Sequence, residues 1–316
     1  MKTLEFSRLT FGIGLGLLVL AGCGGAQGGG PGAMAQSGAS VERPARGKSW
    51  VLRGSSGGDL VYISSSANAV YVYSYPDGTL VGTLTGFNNP AGLCSDAKGN
   101  VWITNSYGGN IVEYAHGGTS PIATLQDSGQ TPEDCAVDPT TGNLAVADLY
   151  SNAAIYTNAQ GSPAYYSTVG LLQDALYATY DNVGDLFLAS KWHTPVELRH
   201  GSSSFQKFGL KPHIHSRHAG LQFDGTYVTL IGTSIVYRYS YRHVPGGKQA
   251  GTIKLNAPCC ADYWIQGSEL AGVDGGNNAY FFSYPAGGDP VTAITGLQRT
   301  QGVTISVAPS GSHIRK

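Results

Sequence analysis

Charge is scarce in this chain. Asp, Glu, Lys and Arg make up 12% of its 316 residues, against about a quarter in an ordinary globular domain. Basic residues are nearly missing from 57–185, where Lys98 stands alone against twelve acidic residues. A nucleic-acid binder needs a coherent basic face, and such a half-chain excludes one there. The remainder leans the other way, to +6 over 186–316 and +4 over 1–56. This asymmetry suits solvated loops or a two-sided partner surface. Helical periodicity is also missing: outside the N-terminus no long segment repeats apolar residues every 3.6 positions, which excludes a helix bundle. There is no Cys-x-x-Cys or zinc-type spacing, no Gly-x-Ser-x-Gly, no phosphate loop and no pair of carboxylates at a diagnostic catalytic spacing.

Glycine is abundant, at 46 residues, and it falls in a pattern. Asp96-Ala97-Lys98-Gly99-Asn100-Val101-Trp102-Ile103 recurs with drift at Asp138, Asp181 and Asp224, at spacings of 42, 43 and 43, and Asp262 is a candidate fifth member 38 residues on. Asp bonds the backbone ahead of it and Gly takes positive φ, so each copy is a tight turn. A second turn series begins at Pro76, His116, Ala159, His200, Pro245 and Pro285 and counts six units. Between the turns lie short runs rich in β-branched and aromatic residues, such as Val70-Tyr71-Val72-Tyr73. Val101-Trp102-Ile103 is apolar on both strand faces, as a sheet sandwiched between two others requires. Units of about 40 residues with several strands each predict an all-β fold, a six-bladed β-propeller in one closed domain over 49–316. Val51-Leu52 and the terminal Gly302–Val307 run both look like first strands. The C-terminal one is expected to complete the first blade and close the ring, with the innermost place left open between them.

Residues 1–22 carry Lys2 and Arg8 followed by an apolar run, Phe11–Leu20, shorter than a typical spanning helix. Leu20-Ala21-Gly22-Cys23 resembles a bacterial lipobox, which implies cleavage before Cys23, its lipidation, and a membrane-anchored, extracytoplasmic address in a bacterium. Residues 1–22 are then a lipoprotein signal peptide, and residues 23–48 are the lipidated cysteine and a flexible Gly/Ala/Ser-rich linker. Pro90-Ala91-Gly92-Leu93 through Gly99-Asn100-Val101-Trp102-Ile103-Thr104-Asn105-Ser106 resembles NHL-type propeller repeats. The whole chain resembles bacterial six-bladed propeller lipoproteins, and more distantly is similar to virginiamycin B lyase and gluconolactonase-like propellers. The metal-binding carboxylates of those enzymes have no matching positions here.

Four cysteines remain after Cys23. Cys94, Cys135, Cys259 and Cys260 allow three full pairings, and free thiols are a further alternative. Asn105, Asp148 and Asp274 fall in loops between second and third strands, at the expected channel mouth, and are candidate ligand-binding residues as well as turn formers. His213, His215 and His218 lie in a loop assigned to the same face. They are candidate ligands for a divalent metal, although Lys211 and Arg217 flank them and an anion site is the alternative. His116 and His200, at equivalent turns, read as structural. The 19 tyrosines belong to strands, with a carbohydrate-stacking surface as a further reading. The expected function is a lipid-anchored binding or scaffold module for a protein or glycan, with no nucleic acid, no certain cofactor and a leaning away from catalysis. The alternative is a metal-dependent lyase or lactonase acting at the channel mouth.

Overall fold

A computed structural model describes residues 47–212, 219–241 and 246–309. Among them there is no α-helix, and the strands form six sheets arranged as a ring. The innermost strands are Thr300–Ser306, Pro90–Ser95, Pro132–Val137, Tyr177–Tyr180, Leu221–Phe223 and Asp262–Gln266, each packed against the next and the last against the first. This is the six-bladed propeller that the repeat predicts.

Closure follows the expected route and settles the open choice. Thr300–Ser306 takes the innermost place of the first blade and pairs antiparallel with Leu60–Ser65. Trp50–Val51 goes to the opposite, outer edge of that sheet, beside Leu80–Thr85. The first blade is thus built from both ends of the domain. Val307 lies just past the closing strand and is exposed.

The buried side chains form six clusters, one in each seam between neighbouring blades. Alternation along a strand sends successive side chains to opposite faces. Val101 and Ile103 therefore enter the seam with the first blade, and Trp102 enters the seam with the third. Cys94 and Cys135, on adjacent innermost strands, are disulfide-bonded with their Cα atoms 5.6 Å apart. Cys259 is bonded to its neighbour Cys260.

Both turn series recur in the structure. The amides of Lys98 and Asn100 donate to Asp96 Oδ1 at 2.8 Å, and equivalent bonds form at Asp138, Asp181 and Asp224. Asp262 is a correction to that series. In the sixth blade the corresponding hairpin is Gln266-Gly267-Ser268-Glu269, which needs no aspartate, and Asp262 opens the innermost strand instead. In the second series Gly78, Gly117, Gly161, Gly201, Gly246 and Gly287 all adopt φ between 67° and 76°, a range where a Cβ is strained. His116 is tied into the ring closure: Nδ1 lies 2.6 Å from Ser306 Oγ and Nε2 lies 3.1 Å from the Gly58 carbonyl.

Candidate functional site

One face of the ring carries the loops between second and third strands and the starts of the innermost strands. Here the channel widens into a cavity of about 560 Å³ lined by residues of all six blades. Its chemistry is dominated by carboxyl groups: Glu133, Asp134, Asp262 and Asp274 line it together with Lys191. The bonded Cys259–Cys260 pair lies on the same wall.

Asp134 and Asp262 sit on innermost strands three blades apart, both buried. Each reaches one blade onward. Asp134 Oδ2 accepts the Ala178 amide at 2.9 Å, and Asp262 Oδ2 accepts the Val303 amide at 3.1 Å. Gly92 makes room for this, since any side chain there would collide with Asp134. Burial pushes the Asp262 carboxyl up to about 7, against the opposing pull of the Val303 and Tyr263 amides. Burial, then the nearby Asp262, holds Asp134 well above the usual carboxylate range. Glu133 is also pushed up to about 7 by burial, with Lys191 and a bond to Ser106 acting the other way. Carboxyls that titrate near neutrality can both donate and accept hydrogen bonds, and strongly shifted groups in a cleft are candidates for a functional site.

Around one side of the mouth the repeat places large aromatic side chains at one register position. Tyr107, Tyr150 and Trp192 each stand two residues beyond the equivalent Asn105, Asp148 and Ser190. They are 72%, 68% and 70% exposed, and Lys191 of the cavity precedes Trp192. The same position in the other three blades holds Ser234, Gly276 and Ala67. Half the rim is therefore an aromatic arc and half is small or polar.

The three candidate ligand residues part company. Asp274 lines the cavity, but its carboxylate is engaged by its own loop: Oδ1 accepts the Gly276 and Asn278 amides at 2.8 and 3.0 Å, and Oδ2 accepts Asn278 Nδ2 at 2.6 Å. Asn105 closes its hairpin by bonding the Asn88 amide and the Asn110 side chain. Asp148 is buried in the seam between the second and third blades. Neither Asn105 nor Asp148 belongs to the cavity lining. The loop of His213, His215 and His218 lies outside the described residues, as does Cys23. Among the described residues, no three His, Cys, Asp or Glu side chains group so as to hold a metal ion.

Sequence reasoning missed Glu133, Asp134 and the aromatic arc. The signal was present in the repeat itself. Pro132-Glu133-Asp134-Cys135 aligns with Pro90-Ala91-Gly92-Leu93, so two acids stand where the better-preserved unit has Ala and Gly.

No protein-family model and no curated protein matches this sequence. Among solved structures, a chain of the crystal structure of a nidogen/laminin complex is similar, with a TM-score of 0.65 and 14% identity, over 80% of this chain and 100% of that one. This is a likeness of fold. A propeller of this kind is compatible with a binding or scaffold module.

Proposed function

We propose that this protein is a lipid-anchored, extracytoplasmic binding module that takes a glycan at its channel mouth. The observation that supports the ligand class is the aromatic arc of Tyr107, Tyr150 and Trp192 beside a cavity lined by carboxyl groups. Sugar rings present apolar C–H faces to aromatic planes and hydroxyls to polar side chains. Clefts of this kind combine rigid aromatic area with a few orienting polar groups. Glu133 and Asp262, titrating near 7, suit hydroxyl recognition because a half-protonated carboxyl offers both a donor and an acceptor. The lyase or lactonase alternative would draw its metal from His213, His215 and His218, which lie outside the described residues. Titration with oligosaccharides, followed by the emission of the exposed Trp192, tests the binding reading.

The anchor rests on the lipobox resemblance at Cys23. Cys23→Ser should leave the protein in the soluble extracytoplasmic fraction or unprocessed. Normal processing with full membrane retention would remove the anchor from this reading.

A further inference from the structure

The two disulfides of this chain are not equivalent. Cys94–Cys135 joins the innermost strands of neighbouring blades across a sequence separation of 41 and is buried in their seam. A cross-link stabilises a fold by restricting the unfolded chain, and the effect grows with the loop that it closes. Cys259–Cys260 has a sequence separation of 1 and closes no such loop. What it does, it does to its immediate surroundings.

Those surroundings are the wall of the cavity. Cys259 and Cys260 belong to the buried cluster between the fifth and sixth blades, and both also line the cavity. Cys260 is the more exposed of the two, at 7% against 1%. Behind them stands Gly272, in the second strand of the sixth blade, where a Cβ would collide with both Sγ atoms. Gly272 does not adopt positive φ, so a glycine is needed there for space alone, as glycines inside strands often are. The two sulfurs thus sit in a notch that fits them as a bonded pair. Ala261 follows, with its amide donating to the Val273 carbonyl and its carbonyl accepting the Tyr177 hydroxyl at 3.2 Å. The next residue is Asp262, the buried channel acid that lines the cavity.

We infer that the Cys259–Cys260 bond is a redox-sensitive part of the ligand site: bonded, it holds Asp262 in the binding wall, and reduced, it releases that wall and weakens ligand binding. The ligand in this inference rests on the glycan reading, whereas the response of the wall to thiols does not. Bonded sulfurs lie about 2 Å apart, and two free thiols repel one another at that separation. With Gly272 and the seam behind them, at least one must leave the notch on the cavity side and carry the adjoining backbone with it. The reductant is a dithiol that enters through the mouth. Its thiolate attacks Cys260 Sγ, the bond between the two cysteines breaks, and Cys259 leaves as a thiolate that takes a proton. The reductant's second thiol then attacks its own sulfur in the mixed disulfide and releases Cys260. One protein disulfide and one dithiol become two protein thiols and the disulfide of the reductant. Cys94 and Cys135 are no part of the cavity lining, so their bond is spared.

Dithiothreitol on the folded full chain tests this, with alkylation mapped by peptide mass spectrometry. Cys259 and Cys260 should resist alkylation before reduction and accept it afterwards, while Cys94 and Cys135 stay blocked. Hydrogen exchange of the peptide spanning 257–263 should accelerate at least tenfold on reduction. The affinity for neutral oligosaccharide hexamers, read by Trp192 emission, should fall at least tenfold and return on reoxidation. Cys259→Ser with Cys260→Ser should bind as weakly as the reduced protein and ignore dithiothreitol. The reduced wild type gives the same readout should that variant fail to fold. Thiols at 259 and 260 that alkylate without reductant, or a bond that dithiothreitol does not open in the folded protein, overturn the inference. So does a reduced protein with unchanged exchange, or one that binds hexamers as the oxidised protein does. Should no hexamer bind the oxidised protein, the glycan reading fails on its own, and the exchange of 257–263 then decides whether the wall responds to reduction.

Discussion

The ionisation of Asp262 is governed by where its carboxyl sits, and that has a sign that can be measured. Its ordinary value is 3.8, and burial raises it to about 7 in the folded protein. Below pH 3.8 the group is protonated whether the chain is folded or not, so it costs nothing. As pH rises toward 7 the unfolded chain gains an ionised carboxylate that the folded one resists, and stability is lost through that window. Asp262→Asn removes the proton equilibrium while an amide oxygen can still accept the Val303 amide. The melting temperature of Asp262→Asn minus that of wild type should be more positive at pH 8 than at pH 5, by several degrees, in scanning calorimetry. An equal difference at both values would mean that Asp262 is solvated and ionised throughout. The sequence did not single out this residue as a channel acid. Its spacing from Asp224 made it look like a turn aspartate, and strand alternation alone does not tell which side of an innermost strand meets the channel. Asp274 was legible as a mouth residue, but its capture by its own loop depends on the hairpin following it.

At the scale of elements the repeat was highly legible, because turns are local. The six glycines with φ between 67° and 76° follow directly from a Pro/His-Gly spacing that recurs along the chain, and the four Asp turns follow from Asp-x-x-Gly. The order of the terminal strands was only half legible. Val51-Leu52 and Gly302–Val307 share one composition, and only the ring geometry assigns Thr300–Ser306 to the centre and Trp50–Val51 to the rim. Its central place makes the closing strand costly to lose. Val303 and Ile305 are buried in the seam between the sixth and first blades, at about 1.5–3 kcal/mol per side chain. Ser95 Oγ donates to the Ile305 carbonyl at 2.7 Å, and His116 meets Ser306. Deleting residues 300–316 should therefore remove on the order of 5 kcal/mol or more, comparable to the whole stability of a typical domain. Thermal unfolding should show loss of the cooperative transition. A deletion protein that melts like the full chain would place that strand outside the folding unit.

For the whole molecule, closure of the ring leaves one face with a cavity fed by all six blades and an aromatic arc on half its rim. The arc falls on the second, third and fourth blades, and two of its three members lie within the acidic stretch 57–185. That charge disfavours polyanions and is consistent with a neutral glycan held by stacking and hydroxyl contacts. Trp192 is 70% exposed, Trp102 is 2% exposed, and Trp50 and Trp264 are half-buried, so comparison with Trp192→Ala assigns emission changes to the rim. The most direct test is a fluorescence titration of wild type with neutral oligosaccharide hexamers of several linkages, beside Trp192→Ala and Thr233→Trp. Thr233 is an exposed residue of the cavity lining, so a tryptophan there should plug the mouth without disturbing the seams. At least one hexamer should give a saturable blue shift in wild type, with no such shift in Trp192→Ala and affinity at least tenfold weaker in Thr233→Trp. Emission unchanged by every hexamer, or a shift that Thr233→Trp leaves intact, would contradict glycan binding at the channel mouth.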